Sequence, residues 1–534
     1  MIINEKKNIK RNVKLLLPMK KLLSYIKNSA FLPICAGIAA IQPQLSAQIQ
    51  ELYFNDVTDN DSTYISDISN WYTDTSRTTP FTGTLDGNQN GNVSGSGGFS
   101  IKVAAFNTPT FNNLTYETEG ASKDFDFLVL GNDTVLTING DLTTNFSLGN
   151  DGTFNSQRTA GLVLWSKSTL HVKGDWIISS SRAESSNYQA VKITTGGDDI
   201  NGSVLVDGNI ISKGPDNIIF STVRGDFKVG GTIDLNGSQW NLASTTSANT
   251  YTREIGGLGK ADGSNGRVRM NITNTSTEPS NAVVNLIFKN KSSYEATTAF
   301  SRAKTDNAKL NITMMAEDAA KGRQVLRIDT TDLYWCNGVE MHDANINDVE
   351  VNSGRLDIGM YYGLKGNNLQ IYSHSGRAED AVFSATSLMT GNEMGRAEFD
   401  SMSFYNGTIV FDLVEGDKDF IQINGGVTRL AQDAKLVFDI NLSAENLKIY
   451  LEALGKEMMQ WDIMSFKTDD SNIVEDDIIL KTQSGIEGTL DFVADQSSGL
   501  TTIYVELAMV PEPSTVAAIL GAAAIAYALI RRRK

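Results

Sequence analysis

The sequence predicts an all-β chain wound into an elongated right-handed parallel β-helix (solenoid), with a short helical segment and one transmembrane helix toward its C-terminus. Three observations lead there. Short runs of β-branched and aromatic residues alternate with clusters of Asn, Asp, Gly, Ser and Thr, the pattern of strands joined by tight turns. Between residues 48 and 510 the only prolines are Pro80, Pro109, Pro215 and Pro279, so few positions are barred from donating to a ladder. The third observation is an internal repeat. Leu136, Ile138, Gly140, Asp141 and Leu142 recur as Leu170, Val172, Gly174, Asp175 and Trp176, then as Val204, Val206, Gly208, Asn209 and Ile210, and more loosely as Phe227, Val229, Gly231, Thr232 and Ile233. Each copy reads as a strand, a turn at Gly140, Gly174, Gly208 or Gly231, and a second strand. In such a coil alternate side chains point inward and stack on the same position of the next rung, so apolar residues two apart around a glycine are what the geometry requires. Weaker echoes occur at Val349, Val351, Gly354, Leu356 and Ile358, and at Thr408, Val410, Asp412 and Leu413. Tandem β-sandwiches suit alternating strands as well and stand as the alternative fold.

Along the chain, residues 1–47 read as a secretory signal peptide. Met19 is followed by Lys20, Lys21 and Lys27, then by an apolar run from Ala30 to Ile41 and a small residue, Ala47, at the cleavage point. The run is too short to span a membrane comfortably, and Pro33 and Pro43 interrupt it. Residues 1–18 either extend the basic region or place the true start at Met19 instead of Met1. Cys35 follows Ile34, which is not small, so lipid attachment there is not expected. Residues 48–440 are the repeat-bearing, passenger-like solenoid region. Residues 441–510 form a C-terminal α/β cap, in which a helix is expected over 443–460, capped by Ser443 and carrying Leu447, Tyr450, Leu451, Leu454 and Met458 on one face. Residues 511–534 comprise Pro511, Glu512, Pro513 and Ser514, an apolar stretch bounded by Thr515 and Ile530, and the cations Arg531, Arg532, Arg533 and Lys534. At ~1.5 Å per helical residue the stretch reaches about 24 Å, a short crossing, and the positive-inside preference keeps the cations cytoplasmic. Cations directly after an apolar helix argue against its burial in a core.

The chain carries 46 Lys and Arg against 62 Asp and Glu, a formal charge of −16, and both ends are basic, so the body is more acidic still. Such a surface repels phosphate backbones, which excludes nucleic acid as a partner. Cys35 and Cys336 are the only cysteines, one of them in the leader, so the processed chain is expected to form no internal disulfide. His171, His342 and His374 fall in no zinc spacing. Asp86, Asn88 and Asn90 begin like a calcium loop, but Gly97 stands where a bidentate Glu is needed. Gly257, Gly259 and Lys260 lack the third glycine and the following hydroxyl of phosphate-binding loops. Trp71, Trp240 and Trp335 would stack on sugars if exposed, although Trp in a strand usually packs. No pair of carboxylates stands out by spacing. No catalytic residue, cofactor or metal ligand is therefore expected, and a carbohydrate-active β-helix, a polysaccharide lyase or glycosidase, is the alternative.

Pro511, Glu512, Pro513 and Ser514, the hydrophobic helix and the terminal arginines together resemble the PEP-CTERM sorting signal of Gram-negative bacteria. The resemblance covers residues 511–534 alone. It implies processing near the Pro-Glu-Pro element by an exosortase, a membrane protease with a transpeptidase-like role, a transient hold in the inner membrane, and a destination at the cell surface or in the extracellular matrix. The body is similar, more diffusely, to the autotransporter-associated β-strand repeats that accompany such tails, through Ile68, Asn70, Trp71 and Pro80, the Gly256, Gly257, Leu258 and Gly259 element, and Val351, Gly354 and Leu356. It departs from true autotransporters in having no terminal membrane β-barrel, so self-translocation is not expected. The implied role is structural or adhesive, with exosortase and the membrane as partners during sorting and exopolysaccharide afterwards. A calcium-dependent matrix adhesin is a further option.

Overall fold

A computed structural model describes residues 49–54, 63–96, 100–119, 125–147, 159–181, 190–195, 201–213, 225–236, 239–242, 250–260, 262, 266–271, 281–303, 307–328, 341–343, 345–360, 364–385, 395–414, 417–510, 520–525, 527 and 531. The expected signal segment lies outside the described residues, as do Cys336, Trp335, Pro511, Glu512, Pro513, Ser514, Thr515, Ile530, Arg532, Arg533 and Lys534. The strands and the helix described below all belong to one compact unit, Gln50–Lys534.

The protein is mostly β, with 59% strand and 9% helix. Its described strands form a 33-stranded sheet of mostly parallel pairs and a second sheet of 5 strands. The period of two along each strand sends alternate side chains to opposite faces, and the parallel register then places like on like. One buried column runs Phe111, Ile138, Val172, Val206, Val229, Ile255, Phe288, Met314, Val351, Ile371 and Phe404, each the register partner of the next. None of these side chains is more than 2% exposed. Burying each contributes about 1.5–3 kcal/mol, so the column is a main source of cohesion between successive strands.

A neighbouring column runs Leu136, Leu170, Val204, Phe227, Arg253, Leu286 and Ile312. Arg253 is its one cation, and it is buried. Its Nε and Nη2 donate to the Leu242 carbonyl at 3.2 and 3.0 Å and its Nη1 to the Thr252 carbonyl at 3.1 Å. The guanidinium also lies 5.7 Å from the Phe227 ring centre and 5.2 Å from that of Tyr251, within cation–π range. Burial lowers its pKa to about 10, so it stays charged at neutral pH.

Toward the C-terminus the pairing changes direction. A helix, Ala444–Leu454, is capped as expected: the Ser443 side chain accepts the Asn446 N–H at 3.1 Å. Leu447 and Leu451 are buried. The helix ends earlier than its apolar spacing suggested, because Gly455 takes a left-handed conformation at φ 61° and Met458 already belongs to the strand Met458–Lys467. Leu454 and Met458 are exposed instead of lining the helix face. The strand Met458–Lys467 pairs antiparallel with Leu500–Met509, which pairs antiparallel with Ile486–Asp495. That tertiary pairing overrides the local helical period. Among the described residues no helix is long and apolar enough to cross a membrane. Of the expected transmembrane segment, positions 520–525 and 527 are helical, and Leu520, Ile525 and Tyr527 are exposed, as is Arg531.

Candidate functional site

The four repeat glycines sit in one line of the sheet. The N–H of Gly174 donates to the Gly140 carbonyl at 2.9 Å, that of Gly208 to Gly174 at 3.1 Å, and that of Gly231 to Gly208 at 2.8 Å. The residue after each glycine carries a second line of bonds. The Asp141 N–H donates to Asn113 Oδ1 at 2.7 Å, the Asp175 N–H to Asp141 Oδ1 at 2.8 Å, the Asn209 N–H to Asp175 Oδ1 at 2.7 Å, and the Thr232 N–H to Asn209 Oδ1 at 2.9 Å. Asn90 begins the line, its Oδ1 accepting the Asn113 N–H at 3.2 Å. Each short polar side chain thus satisfies a backbone donor on the next strand over, at sequence separations of 28, 34, 34 and 23 for the last four steps.

This ladder explains why glycine is required. None of the four glycines has a positive φ. A Cβ on Gly174 would lie 2.3 Å from Asp141 Oδ1 and 2.6 Å from the Gly140 carbonyl, and one on Gly208 would lie 2.5 Å from both Asp175 Oδ1 and the Gly174 carbonyl oxygen. The demand is space for the neighbouring strand's side-chain acceptor and backbone, not left-handed backbone. The repeated Gly-Asp, Gly-Asp and Gly-Asn dipeptides carried that signal in the sequence. A second line of amides, Asn285, Asn311, Asn347 and Asn367, joins Nδ2 to Oδ1 at 2.8, 2.9 and 2.7 Å farther along.

Other singled-out residues have local roles. Asp86 Oδ1 accepts the Asn88 N–H at 3.2 Å, so the calcium-like start is a side-chain-capped turn, and that bond is the main cause holding the Asp86 pKa below the usual carboxylate range. His171 Nε2 lies 3.1 Å from Asp207. Trp71 and Trp240 are buried and present no face to a sugar. Among the described residues no group of three His, Cys, Asp or Glu is placed to hold a metal ion.

Two polar clusters were not legible in the sequence. In the first, Arg323 Nε lies 2.7 Å from Asp357 Oδ2 and Arg355 Nη2 lies 2.7 Å from Asp357 Oδ1, with Asp357 buried. Burial alone would lower the Arg355 pKa, but its bond to Asp357 and the charges of Asp357, Asp412 and Asp439 raise it, the opposite of what a catalytic base needs. In the second, a groove of about 420 Å³ opens beside three successive parallel strands, lined by Asn201, Ser203, Gly225, Asp226, Phe227, Lys228, Thr250, Thr252 and Glu254. Lys228 Nζ lies 3.7 Å from Asp226 and 3.6 Å from Glu254.

Comparison with family models, with curated proteins and with solved structures finds no match to this chain.

Near the first cluster, buried Asp419 accepts the N–H groups of Gly395 and Asp412, each at 2.7 Å. Burial pushes its pKa up to about 8 despite those bonds, with the charges of Asp412 and Asp357 adding to the rise. An unfolded Asp titrates near about 4. The folded chain therefore holds this proton more tightly, and the stability it contributes is complete below about pH 4 and lost as the pH rises through about 8. The thermal midpoint is expected to fall between about pH 4 and about pH 8 and to level off above that. Asp419→Asn should lower the midpoint, because an amide cannot accept both N–H groups, yet flatten its pH dependence. An equally steep slope in the variant would rule out Asp419 as the source.

Proposed function

We propose that this chain is an exported structural or adhesive protein whose body is an elongated right-handed parallel β-solenoid. Its C-terminal segment acts as a PEP-CTERM-type sorting signal, processed by an exosortase after a transient stay in the inner membrane, and delivers the body to the cell surface or extracellular matrix. The observation that carries this reading is the unbroken buried column from Phe111 to Phe404. Parallel partners stacked in one continuous line favour a coil over tandem sandwiches, whose sheets are antiparallel. A stack of this kind extends by adding rungs and gives reach, which suits a scaffold or adhesin. Exopolysaccharide is the proposed partner outside the cell.

The carbohydrate-active alternative draws on the groove, where Asp226 and Glu254 stand beside Lys228. Cleavage on such a surface calls for clustered carboxylates beside a Lys or Arg that acts as base in its neutral form. Here the described lining supplies two carboxylates, and both flank the same ammonium. That arrangement neutralises charge instead of poising an acid against a base, so the non-enzymatic reading is preferred.

The test is fractionation of cells producing the full chain beside a variant lacking residues 511–534. The full chain is expected at the surface or in the matrix, and the truncated one should be lost from it. Equal surface display of both would overturn the sorting proposal.

A further inference from the structure

The groove lies on the solvent face of the strands Ser203–Val206, Phe227–Asp234 and Thr250–Leu258. Register fixes its floor: Lys228 pairs with Glu254, while Val204, Phe227 and Arg253 turn to the buried side. Polar side chains of different kinds therefore stand at the ~4.8 Å spacing between paired strands, Lys228 beside Glu254. That interval is close to the length of one hexose unit.

The lining chemistry narrows the ligand. Ser203 and Thr252 offer hydroxyls, Asn201 an amide, and Asp226 and Glu254 acceptors for sugar hydroxyls. Lys228 sits between its two carboxylates at distances longer than a hydrogen bond, so its N–H groups remain available to ligand oxygens. The groove has one more carboxylate than cations, and the whole chain carries −16, so a polyanion would be repelled. Phe227 in the lining is buried and offers no ring face. A cavity near 420 Å³ is in the size range of small-molecule sites and admits one or two sugar rings.

We propose that this groove is a binding subsite for an uncharged oligosaccharide laid across successive strands, with Asp226, Lys228 and Glu254 at its centre. The inference deepens the matrix-facing reading above by naming the class of saccharide. With polar contacts and no aromatic platform, affinity is expected in the millimolar range, and useful adhesion would come from many sugar units engaging at once.

The test is saturation-transfer NMR and calorimetry on the purified full chain with cellohexaose, maltohexaose and an oligogalacturonate of similar length. At least one neutral hexasaccharide should bind and the acidic one should not. Lys228→Met and Glu254→Gln should each weaken binding about tenfold, as expected for losing a charge-assisted hydrogen bond. Lys291→Met, at an exposed lysine paired with Glu317, should leave it unchanged. Thermal midpoints of the variants, expected to match the parent because both groove side chains are partly exposed, separate lost binding from lost folding. Binding of neither neutral sugar, binding of the acidic one alone, or undiminished binding in both groove variants would overturn the subsite. Because the readout uses purified protein, it is independent of the fractionation result.

Discussion

Trp71→Ala should destabilise the N-terminal strands by about 3–5 kcal/mol, the usual cost of removing a buried tryptophan. Trp71 is fully buried, its ring centre 5.0 Å from that of Phe54 and 5.2 Å from that of Phe111. Its Nε1 donates to the Ile65 carbonyl at 2.8 Å, so truncation also orphans an acceptor. Paired strands stabilise mainly their neighbours, which localises the effect. Hydrogen exchange should therefore report lost protection in Gln50–Phe54 and Gln89–Ser96 and little change in Phe420–Ile423. Trp71→Phe, which keeps a ring but not the donor, should recover more than half of the loss. Uniform deprotection along the chain would contradict the nearest-neighbour picture.

Gly174→Ala should cost about 3 kcal/mol, the upper end of ordinary overpacking. The new methyl meets both the Asp141 carboxylate and the Gly140 backbone, at 2.3 and 2.6 Å. Removing the carboxylate with Asp141→Gly should fail to rescue it, because the backbone contact remains. Gly140→Ala offers the contrast. There the closest contact, 2.2 Å, is the Asn113 side chain, and the nearest backbone atom is at 3.0 Å. Asn113→Ser should accordingly recover a good part of that loss. Chemical denaturation of the four variants reads both comparisons, and rescue of Gly174→Ala by Asp141→Gly would show that side-chain crowding alone explains the requirement.

Much of the buried geometry was legible because period and repeat act through nearby residues. Ile138, Val172, Val206 and Val229 could be placed on one inner face from alternation alone, and Gly140, Gly174, Gly208 and Gly231 could be aligned by their shared context. What those glycines make room for was not legible: the side chains of Asn113, Asp141, Asp175 and Asn209, and the backbone of the neighbouring strand. Alternation tells which face a side chain takes, but not what lies against it on the next strand. The helix after Ser443 was legible at its start, where the cap is local, and not at its end, where pairing of Met458–Lys467 with Leu500–Met509 decides. The groove was invisible for the same reason, since Ser203, Lys228 and Glu254 meet only through parallel register. Asp419 carries no sequence signal at all; its raised pKa follows from burial beside Asp412.

The reversal of strand direction near the C-terminus bears on self-association. A parallel stack left open would present its final backbone edge to the first strand of another copy, the route by which fibrils elongate. Here Ile486–Asp495 pairs on one side with Leu500–Met509 and runs antiparallel to it. Glu487, Asp491 and Asp495 along it are exposed. Exposed charges along an edge oppose pairing with another chain, so addition of a further copy there is resisted by these carboxylates as well as by the changed strand polarity.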